Sequence, residues 1–290
     1  MSEGLRIGDV ARLVGISTTT LRAWEQRYQV VTPTRSAQSG YRHYAEADVE
    51  RLRHMRALVQ SGIAPSRAAT IARSTLRPPS DSLPGTAPSL LDDRSALVHA
   101  GVYYDGPQLQ ALLDAVFDAA DPEEAIERWL LPNLVEVGTA WEHGRLSEVA
   151  EHFVAAAVMR KLGSLFDSLT ATGRRVVVGL PPHGRHEISA LAFSICLRRR
   201  GLDVLYAGAD VPLTSWRHFA ADWAPQTVVL TATMAEDVPP AEETAAALTE
   251  QGVPKVFVGG QHAESVRGAI ALPESLPLAA DVVARATEKR

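Results

Sequence analysis

Four short apolar runs in the C-terminal part of the chain constrain its fold more than any other feature. They occupy residues 176–178, 204–206, 228–230 and 256–258, and successive runs begin 24 to 28 residues apart. Runs that are apolar throughout, rather than alternating with polar residues, are typical of strands covered on both faces. Helical segments fill the intervals. The pattern predicts a doubly wound parallel sheet of the flavodoxin-like kind over residues 171–290.

Ligands bind beyond the carboxyl ends of the strands in a sheet of this kind. The residues that follow these ends are His186, Thr231, Thr233, Gly259 and Gly260. No glycine-rich phosphate loop follows the first strand. His186 stands there instead, and a neutral imidazole can ligate a transition metal. Taken alone, His186 is better explained as a surface or helix-capping residue.

The N-terminal segment predicts two short helices joined by a turn. Residues 7–14 place apolar side chains at helical spacing, and Gly15 ends that pattern. Ser17 is a suitable N-cap for a second helix over residues 18–28. This arrangement is typical of a helix-turn-helix, in which the second helix enters the DNA major groove. Its outward residues are Thr18, Thr19, Arg22 and Arg27, and its inward residues are Leu21, Trp24 and Tyr28.

A hairpin-like segment follows and predicts a wing, from which Arg35 and Arg42 can reach phosphates while Tyr41 packs along the DNA backbone. The charge distribution supports a polyanionic partner. Residues 1–74 hold eleven Arg and no Lys against six acidic residues, whereas the rest of the chain has a net charge of −10.

The blocks RIGDVARLVGISTTTLRAWEQRY, SGYRHYAEADVERLRHMRAL and SGIAPSRAATIA, over residues 5 to 73, closely resemble the MerR-type winged helix-turn-helix. The resemblance implies a DNA-binding domain over residues 1–74 that binds double-stranded promoter DNA as a dimer. By motif position it implies Thr18, Thr19 and Arg22 in the major groove. Arg35, Tyr41 and Arg42 are then expected on the phosphate backbone.

A proline-rich segment follows the DNA-binding domain. Pro78, Pro79, Pro84 and Pro88, together with Gly85, exclude a continuous helix there. We therefore expect a flexible linker over residues 75–95, with dimerisation or higher assembly coming from the C-terminal part.

The middle of the chain is helical in pattern and predicts a four-helix bundle over residues 96–170. Gly144 ends one helix and Ser147 caps the next. Trp141 therefore stands at the end of one helix, while Glu151 and His152 lie in the first turns of another. Trp141 can also be explained as a core aromatic, and Glu151 with His152 as a solvated helix start.

Five motifs follow one another along the chain. The first is W-x9-EH in the bundle, and one further motif follows each of the four predicted strands: the histidine after the first, GADVP after the second, TAT after the third and GG after the fourth. This set resembles the cobalamin-binding module. Together with the MerR-type head, nearly the whole chain resembles the CarH/LitR-type light-responsive repressors that use adenosylcobalamin. The resemblance implies His186 as the lower cobalt ligand and a cofactor tail running beside the sheet. It also implies room for that tail at Gly259 and Gly260, hydrogen bonds from Thr231 and Thr233, and a bundle that caps the upper face with Trp141, Glu151 and His152.

The first loop departs from the Asp/Glu-x-His-x-x-Gly pattern of the family. Gly184 replaces the carboxylate that orients the imidazole, a loss that typically weakens a metal site about 10- to 100-fold. Ser189 replaces the glycine beside which the tail passes. His183 is therefore an alternative ligand.

These features predict a DNA-binding repressor whose dimeric or tetrameric assembly is controlled by adenosylcobalamin and light. The alternative is a MerR-type regulator that senses haem, another tetrapyrrole, a different small molecule or no ligand. A corrinoid protein of a methyltransferase or mutase is less favoured, and catalysis is not expected. We expect a cytoplasmic protein, because the start of the chain has no apolar stretch typical of a signal peptide and no run is long enough for a membrane helix. The single cysteine, Cys196, excludes an internal disulfide.

Overall fold

The computed structural model describes residues 5–35, 42–60, 65–75 and 90–288. The chain forms two compact units. Unit 1 consists of Met1–Leu109 and Asn133–Val154, and unit 2 consists of Gln110–Pro132 and Ala155–Arg290. Most of the linker predicted over residues 75–95 lies outside the described residues, and the predicted domain boundaries remain a prediction.

The N-terminal part of unit 1 is a small helical domain with a three-stranded antiparallel sheet of order β1-β3-β2. Gly15 ends the first helix in the left-handed conformation (φ 68°). The Ser17 hydroxyl then accepts a 2.9 Å hydrogen bond from the Thr20 amide and caps the second helix, as the sequence predicts. Its elements are β1 (Leu5–Arg6), α1 (Ile7–Val14), α2 (Thr18–Tyr28), β2 (Thr34–Arg35), β3 (Arg42–Tyr44), α3 (Glu46–Gln60) and α4 (Pro65–Thr75).

Helix α5 (Ala96–Tyr103) packs closely against the start of α9 (Glu148–Ser168) in the second part of unit 1. A Cβ atom at Gly101 would lie 2.9 Å from a Val154 methyl group, so only glycine permits this approach. The buried Asn133 amide links the start of α5 to the preceding loop, because it accepts from the Leu97 amide and donates to the Asp93 carbonyl. The remaining helices of the middle region are α6 (Gly106–Ala119), α7 (Pro122–Glu124) and α8 (Leu131–Glu142), with a π-helical stretch at Ala125–Leu130.

Unit 2 contains a five-stranded parallel sheet of order β5-β4-β6-β7-β8, and this confirms the predicted flavodoxin-like fold. The four apolar runs are its first four strands. A fifth strand is two residues long and was not predicted. The strands are β4 (Arg175–Gly179), β5 (Asp203–Gly208), β6 (Thr227–Thr231), β7 (Lys255–Gly259) and β8 (Ile270–Ala271).

Helices cover both faces of this sheet. Helix α10 packs against α13, and α11 packs against α12. Eight consecutive residues of α10, from Ala190 to Leu197, are buried, which explains the apolar sequence after His186. The helices are α10 (Glu187–Arg199), α11 (Leu213–Trp223), α12 (Val238–Glu250) and α13 (Leu276–Glu288).

Candidate functional site

The strand order identifies the crevice where unit 2 can bind a ligand. The chain runs from β4 outward to β5 on one side and then returns to β6 on the other, so the order reverses between β4 and β6. Ligands of doubly wound sheets bind at the carboxyl ends of the strands at such a point. The loops that follow β4 and β6 flank this crevice.

The loop after β4 is a tight turn that is fastened to the loop after β5. The Gly184 amide donates to the Pro181 carbonyl at 3.0 Å, and His183 occupies the left-handed region (φ 68°). The His183 amide donates to the Asp210 carboxylate at 2.6 Å, and the Asp210 amide donates to the Gly184 carbonyl at 2.9 Å. This pair of bonds fixes the backbone just before His186, and Asp210 was not among the predicted site residues.

His186 is the N-cap residue of α10, and its side chain is exposed at the rim. Within the described part of the chain, its ring has no hydrogen-bond partner. The same part of the chain also contains no group of three or more His, Cys, Asp and Glu residues that could hold a metal ion.

The structure shows the surroundings of both departures from the family pattern. Gly184 is buried, and a Cβ atom there would lie 3.1 Å from the Pro181 carbonyl oxygen and 3.2 Å from the Leu180 Cβ. A carboxylate side chain at this position would therefore require the turn to shift by a few tenths of an ångström. The Ser189 hydroxyl lies 3.4 Å from the His186 carbonyl oxygen, to which it donates.

Tyr206 fixes the first turn of α10 from the neighbouring strand. Its hydroxyl donates to the Glu187 carbonyl and carboxylate at 3.3 and 3.2 Å. Burial raises the pKa of Tyr206, and the Glu187 charge raises it further. The predicted residues did not include this contact, since the two residues are 19 positions apart.

Thr231 is the last residue of β6, and Thr233 lies in the loop that follows. Thr231 is buried and Thr233 is half-buried, and neither hydroxyl has a hydrogen-bond partner among the residues the structure describes. The buried Asp237 carboxylate holds the loop by accepting the Thr233 and Met234 amides at 3.0 and 2.8 Å. Asp237 is a second supporting residue that was not predicted.

Gly259, the last residue of β7, and Gly260, which follows it, have different surroundings. The nearest atom to a Cβ at Gly259 would be a Leu272 methyl group at 4.0 Å, so space remains open there. A Cβ at Gly260 would lie 2.5 Å from the Ala232 carbonyl oxygen, and Gly260 has φ 104°. Glycine is therefore required at position 260, because the backbones of the loops after β6 and β7 approach closely there. Open space of the kind predicted at both glycines is present only at Gly259.

The predicted cap residues lie in unit 1. Trp141, in the last turn of α8, is 48% exposed, which excludes a role as a buried core aromatic. Glu151 and His152 lie in the first turns of α9, and the Glu151 Oε2 lies 2.5 Å from the His152 Nδ1. The His152 side chain is mostly exposed, so the pair can face a ligand.

Three residues of α2 that are predicted to contact DNA are exposed to solvent: Thr18, Thr19 and Arg22. Arg42 of β3 has a partner within the protein, because its Nη1 donates to the Glu25 carboxylate at 3.1 Å. The Tyr44 hydroxyl donates to the same carboxylate. The Glu25 carboxylate thus links α2 to β3 of the wing, and this contact was not predicted from the sequence. Arg35 lies on β2, while its side chain and the whole of Tyr41 lie outside the described residues.

Comparison with known proteins agrees with this organisation. Residues 5–75 match the family model of the MerR HTH family regulatory protein, and residues 94–165 match the model of the B12 binding domain. The chain is 31% identical over 270 residues to the HTH-type transcriptional repressor CarH of Myxococcus xanthus, covering 90% of each chain. It is also 31% identical over 229 residues to the repressor CarA of the same organism, covering 78% of this chain and 75% of that protein.

The chain belongs to this family of HTH-type transcriptional repressors. The structure of the monomethylamine corrinoid protein of Methanosarcina barkeri matches 68% of this repressor and 98% of that chain, with a TM-score of 0.56 and 19% identity. That likeness shows the shared fold. None of the helices in the described part of the repressor has the length and apolarity that a membrane crossing needs.

Proposed function

We propose that this repressor binds adenosylcobalamin, and that light controls its affinity for operator DNA by changing its oligomeric state. The observation that carries the proposal is the accessible, unpartnered imidazole of His186 at the switch point of the sheet. The B12 binding domain matched over residues 94–165 and the kinship with CarH support it.

The residues at the crevice fit a corrin ring with a long tail. His186 would supply the lower ligand of the cobalt, and the bonds of Asp210 to His183 and Gly184 would hold the loop in place. Thr231 and Thr233 would bond the tail, and Gly259 would leave space for it. Gly260 would act by keeping the loops after β6 and β7 in contact.

In unit 1, Trp141, Glu151 and His152 would bind the upper face. The exposed indole offers an apolar surface to the adenosyl group, and the Glu151–His152 pair offers polar contacts. When bound, adenosylcobalamin supplies a cobalt–carbon bond that light can break. The role of Trp141 in the proposal is to cover the adenosyl group, so its exposed indole would distinguish the protein with that group from the protein without it.

The affinity for operator DNA would change because the oligomeric state changes. Adenosylcobalamin must bind the assembled state more tightly than the dissociated state, since equal affinity for both would not shift the equilibrium between them. An oligomer joins several DNA-binding heads and raises their effective concentration at an operator, so dissociation weakens binding without changing any base contact. Thr18, Thr19 and Arg22 would read the major groove, with Arg35, Tyr41 and Arg42 on the backbone.

The test is a comparison of mass and operator affinity in darkness and after green light. We expect the holo-protein to be a dimer or tetramer in the dark, and to become smaller and bind the operator at least about tenfold more weakly after illumination, as the loss of bivalent binding predicts. Identical mass and affinity under both conditions would contradict control by light.

Two matched variants test whether His186 or His183 is the cobalt ligand. His186→Ala should weaken cobalamin binding by more than about tenfold, because it removes a metal ligand rather than a group that supports one. His183→Ala should bind like the parent, because the bond from His183 to Asp210 uses the backbone amide. If His183→Ala loses binding instead, His183 is the ligand.

A second candidate is a sensor of another tetrapyrrole, and the lack of a carboxylate at Gly184 to orient the His186 imidazole favours it. A chain that binds haem but leaves the spectrum of added adenosylcobalamin unchanged would support this candidate. We expect no catalytic activity, and turnover of a methyl donor would contradict that expectation.

A further inference from the structure

Helix α3 of the winged helix-turn-helix packs against α5 of the bundle within unit 1. The Tyr103 hydroxyl donates to the Glu50 backbone carbonyl at 3.1 Å. The Tyr103 ring contacts the His54 ring, with centroids 5.9 Å apart. His54 is only 2% exposed, and its buried Nε2 has no hydrogen-bond partner among the described residues. The DNA-binding head and the bundle are therefore in close contact at Tyr103.

The next residue of the chain connects α5 to the start of α9. The Tyr104 hydroxyl lies 2.7 Å from the Ser147 hydroxyl, and its ring contacts Phe153 with centroids 5.8 Å apart. Ser147 in turn accepts from the Ala150 amide in the first turn of α9. The same turns of α9 carry Glu151 and His152.

Tyr104 holds its position at a conformational cost. It ends α5 in the left-handed region (φ 51°), where helices usually place glycine and where a bulky residue is an outlier. Such a conformation persists only when the surroundings enforce it. Here the contacts with Ser147 and Phe153 do so. A movement of α9 that breaks them would release the end of α5.

Helix α5 is suited to carry such a movement. It has eight residues, and six of them are buried: Ala96, Leu97, Val98, Ala100, Gly101 and Val102. The absence of a side chain at Gly101 lets α5 lie directly on α9. A short helix enclosed in this way shifts as one body, because dense packing does not allow it to deform gradually.

We infer that the adjacent tyrosines Tyr103 and Tyr104 couple the start of α9 to α3, so that the state of the cap residues Glu151 and His152 sets how firmly the DNA-binding head is held. The inference rests on the proposed function for the identity of the signal. The contacts that carry the coupling are made by residues of the protein itself, so we expect the coupling in the cofactor-free chain as well.

Hydrogen–deuterium exchange of the full-length, cofactor-free chain tests the coupling. Tyr103→Phe removes the bond to α3, and Tyr104→Phe removes the bond to Ser147 at the opposite side of α5. Each should accelerate amide exchange in α3 about fivefold, the effect expected for the loss of one hydrogen bond. Thr249→Val is the matched control, because it deletes a hydroxyl that donates to the Ala245 carbonyl in unit 2, and it should leave exchange in α3 unchanged.

The double variant distinguishes coupling from independent effects. Coupled contacts should give a combined acceleration clearly below the product of the single effects, since the second loss finds the connection already broken. An unchanged α3 in Tyr104→Phe, or a double variant that equals the product, would overturn the inference. Adding adenosylcobalamin to the parent and recording its spectrum tests the proposed function separately, because no spectral change would contradict cofactor binding while the exchange result would still decide the coupling.

Discussion

The contact between α3, α5 and α9 and the carboxyl edge of the sheet use polar groups in opposite ways. At the helix contact, the hydroxyls of Tyr103, Tyr104 and Ser147 are all hydrogen-bonded. At the sheet edge, the His186 imidazole and the hydroxyls of Thr231 and Thr233 have no partner within the described residues, although the backbone beneath them is fastened. The contacts of the first region hold a conformation, whereas the second region leaves side-chain polar groups that the proposed ligand would bind.

The largest expected effect tests whether the sheet edge depends on its fastened backbone. Gly260→Ala should lower the stability of unit 2 by about 4 kcal/mol, because the new Cβ would lie 2.5 Å from the Ala232 carbonyl oxygen at a positive φ. Gly208→Ala is the control, since its φ of 82° is also positive but no atom lies within 4 Å of the new Cβ. Gly208→Ala should lower the stability of unit 2 by about 1 kcal/mol. Urea denaturation measures both, and equal losses would show that the loop approach is unimportant.

The helix contact should respond to acid through His54. Burial, together with repulsion from His99, lowers the pKa of His54 to about 4. The folded state therefore takes up its proton at lower pH than the unfolded state, whose pKa is about 6.5. The stabilising effect is complete above pH 6.5 and is lost as the pH falls towards 4, by about 3 kcal/mol in total.

His54→Met places an apolar side chain in this buried position and removes the titrating group. Charged and titratable groups around His54 include His99 and Tyr103 on α5 and Glu50 on its own helix. The stability of the variant, measured by thermal unfolding, should fall less than that of the parent between pH 6.5 and 4. Parallel pH profiles would refute the assignment to His54.

The third prediction concerns Glu25, which connects α2 to the wing in the way that Tyr103 connects α3 to α5. Glu25→Gln should lower stability by about 1 kcal/mol, because its side chain is only 9% exposed and pairs with Arg42. The exposed pair of Asp9 and Arg12 gives the control, and Asp9→Asn should have almost no effect on stability. Chemical denaturation compares the two variants, and an equal response would mean that the Glu25 link does not fix the wing.

The smallest effect concerns DNA. Arg22→Ala should reduce the slope of log affinity against log salt by about one, because one phosphate or base contact is lost from the exposed face of α2. Arg217→Ala removes a comparable charge from unit 2, where Arg217 pairs with Glu250, and should leave the slope unchanged. A fluorescence anisotropy titration at several salt concentrations measures the slopes, and no difference between them would exclude Arg22 from the interface.

The sequence predicted those parts of the fold that depend on local pattern. Strands β4 to β7 were recognisable because each is a continuous apolar run, whereas β8 has two exposed residues and no pattern. The Ser17 cap was recognisable from its residue type and position. His186 could be placed at the rim because it lies in the segment between a buried strand and the helix that follows it.

Contacts between distant residues could not be predicted in this way. Asp210 reaches His183 across 27 positions, and Glu25 reaches Arg42 across 17. The contact of Tyr103 with Glu50 spans 53 positions and a proline-rich segment. Residue types alone indicate that such groups need partners, but the fold decides which partner each one meets.

The most direct test of the account is the identity of the atom bound to cobalt. The repressor should be prepared with histidine labelled with nitrogen-15, loaded with cobalamin in its paramagnetic cobalt(II) state, and examined by electron paramagnetic resonance. Axial ligation by His186 predicts that the nitrogen splitting changes from a triplet in the unlabelled protein to a doublet in the labelled protein, and that His186→Ala loses the doublet. A triplet that persists in the labelled protein would mean that the cofactor keeps its own base, which would contradict the role of His186.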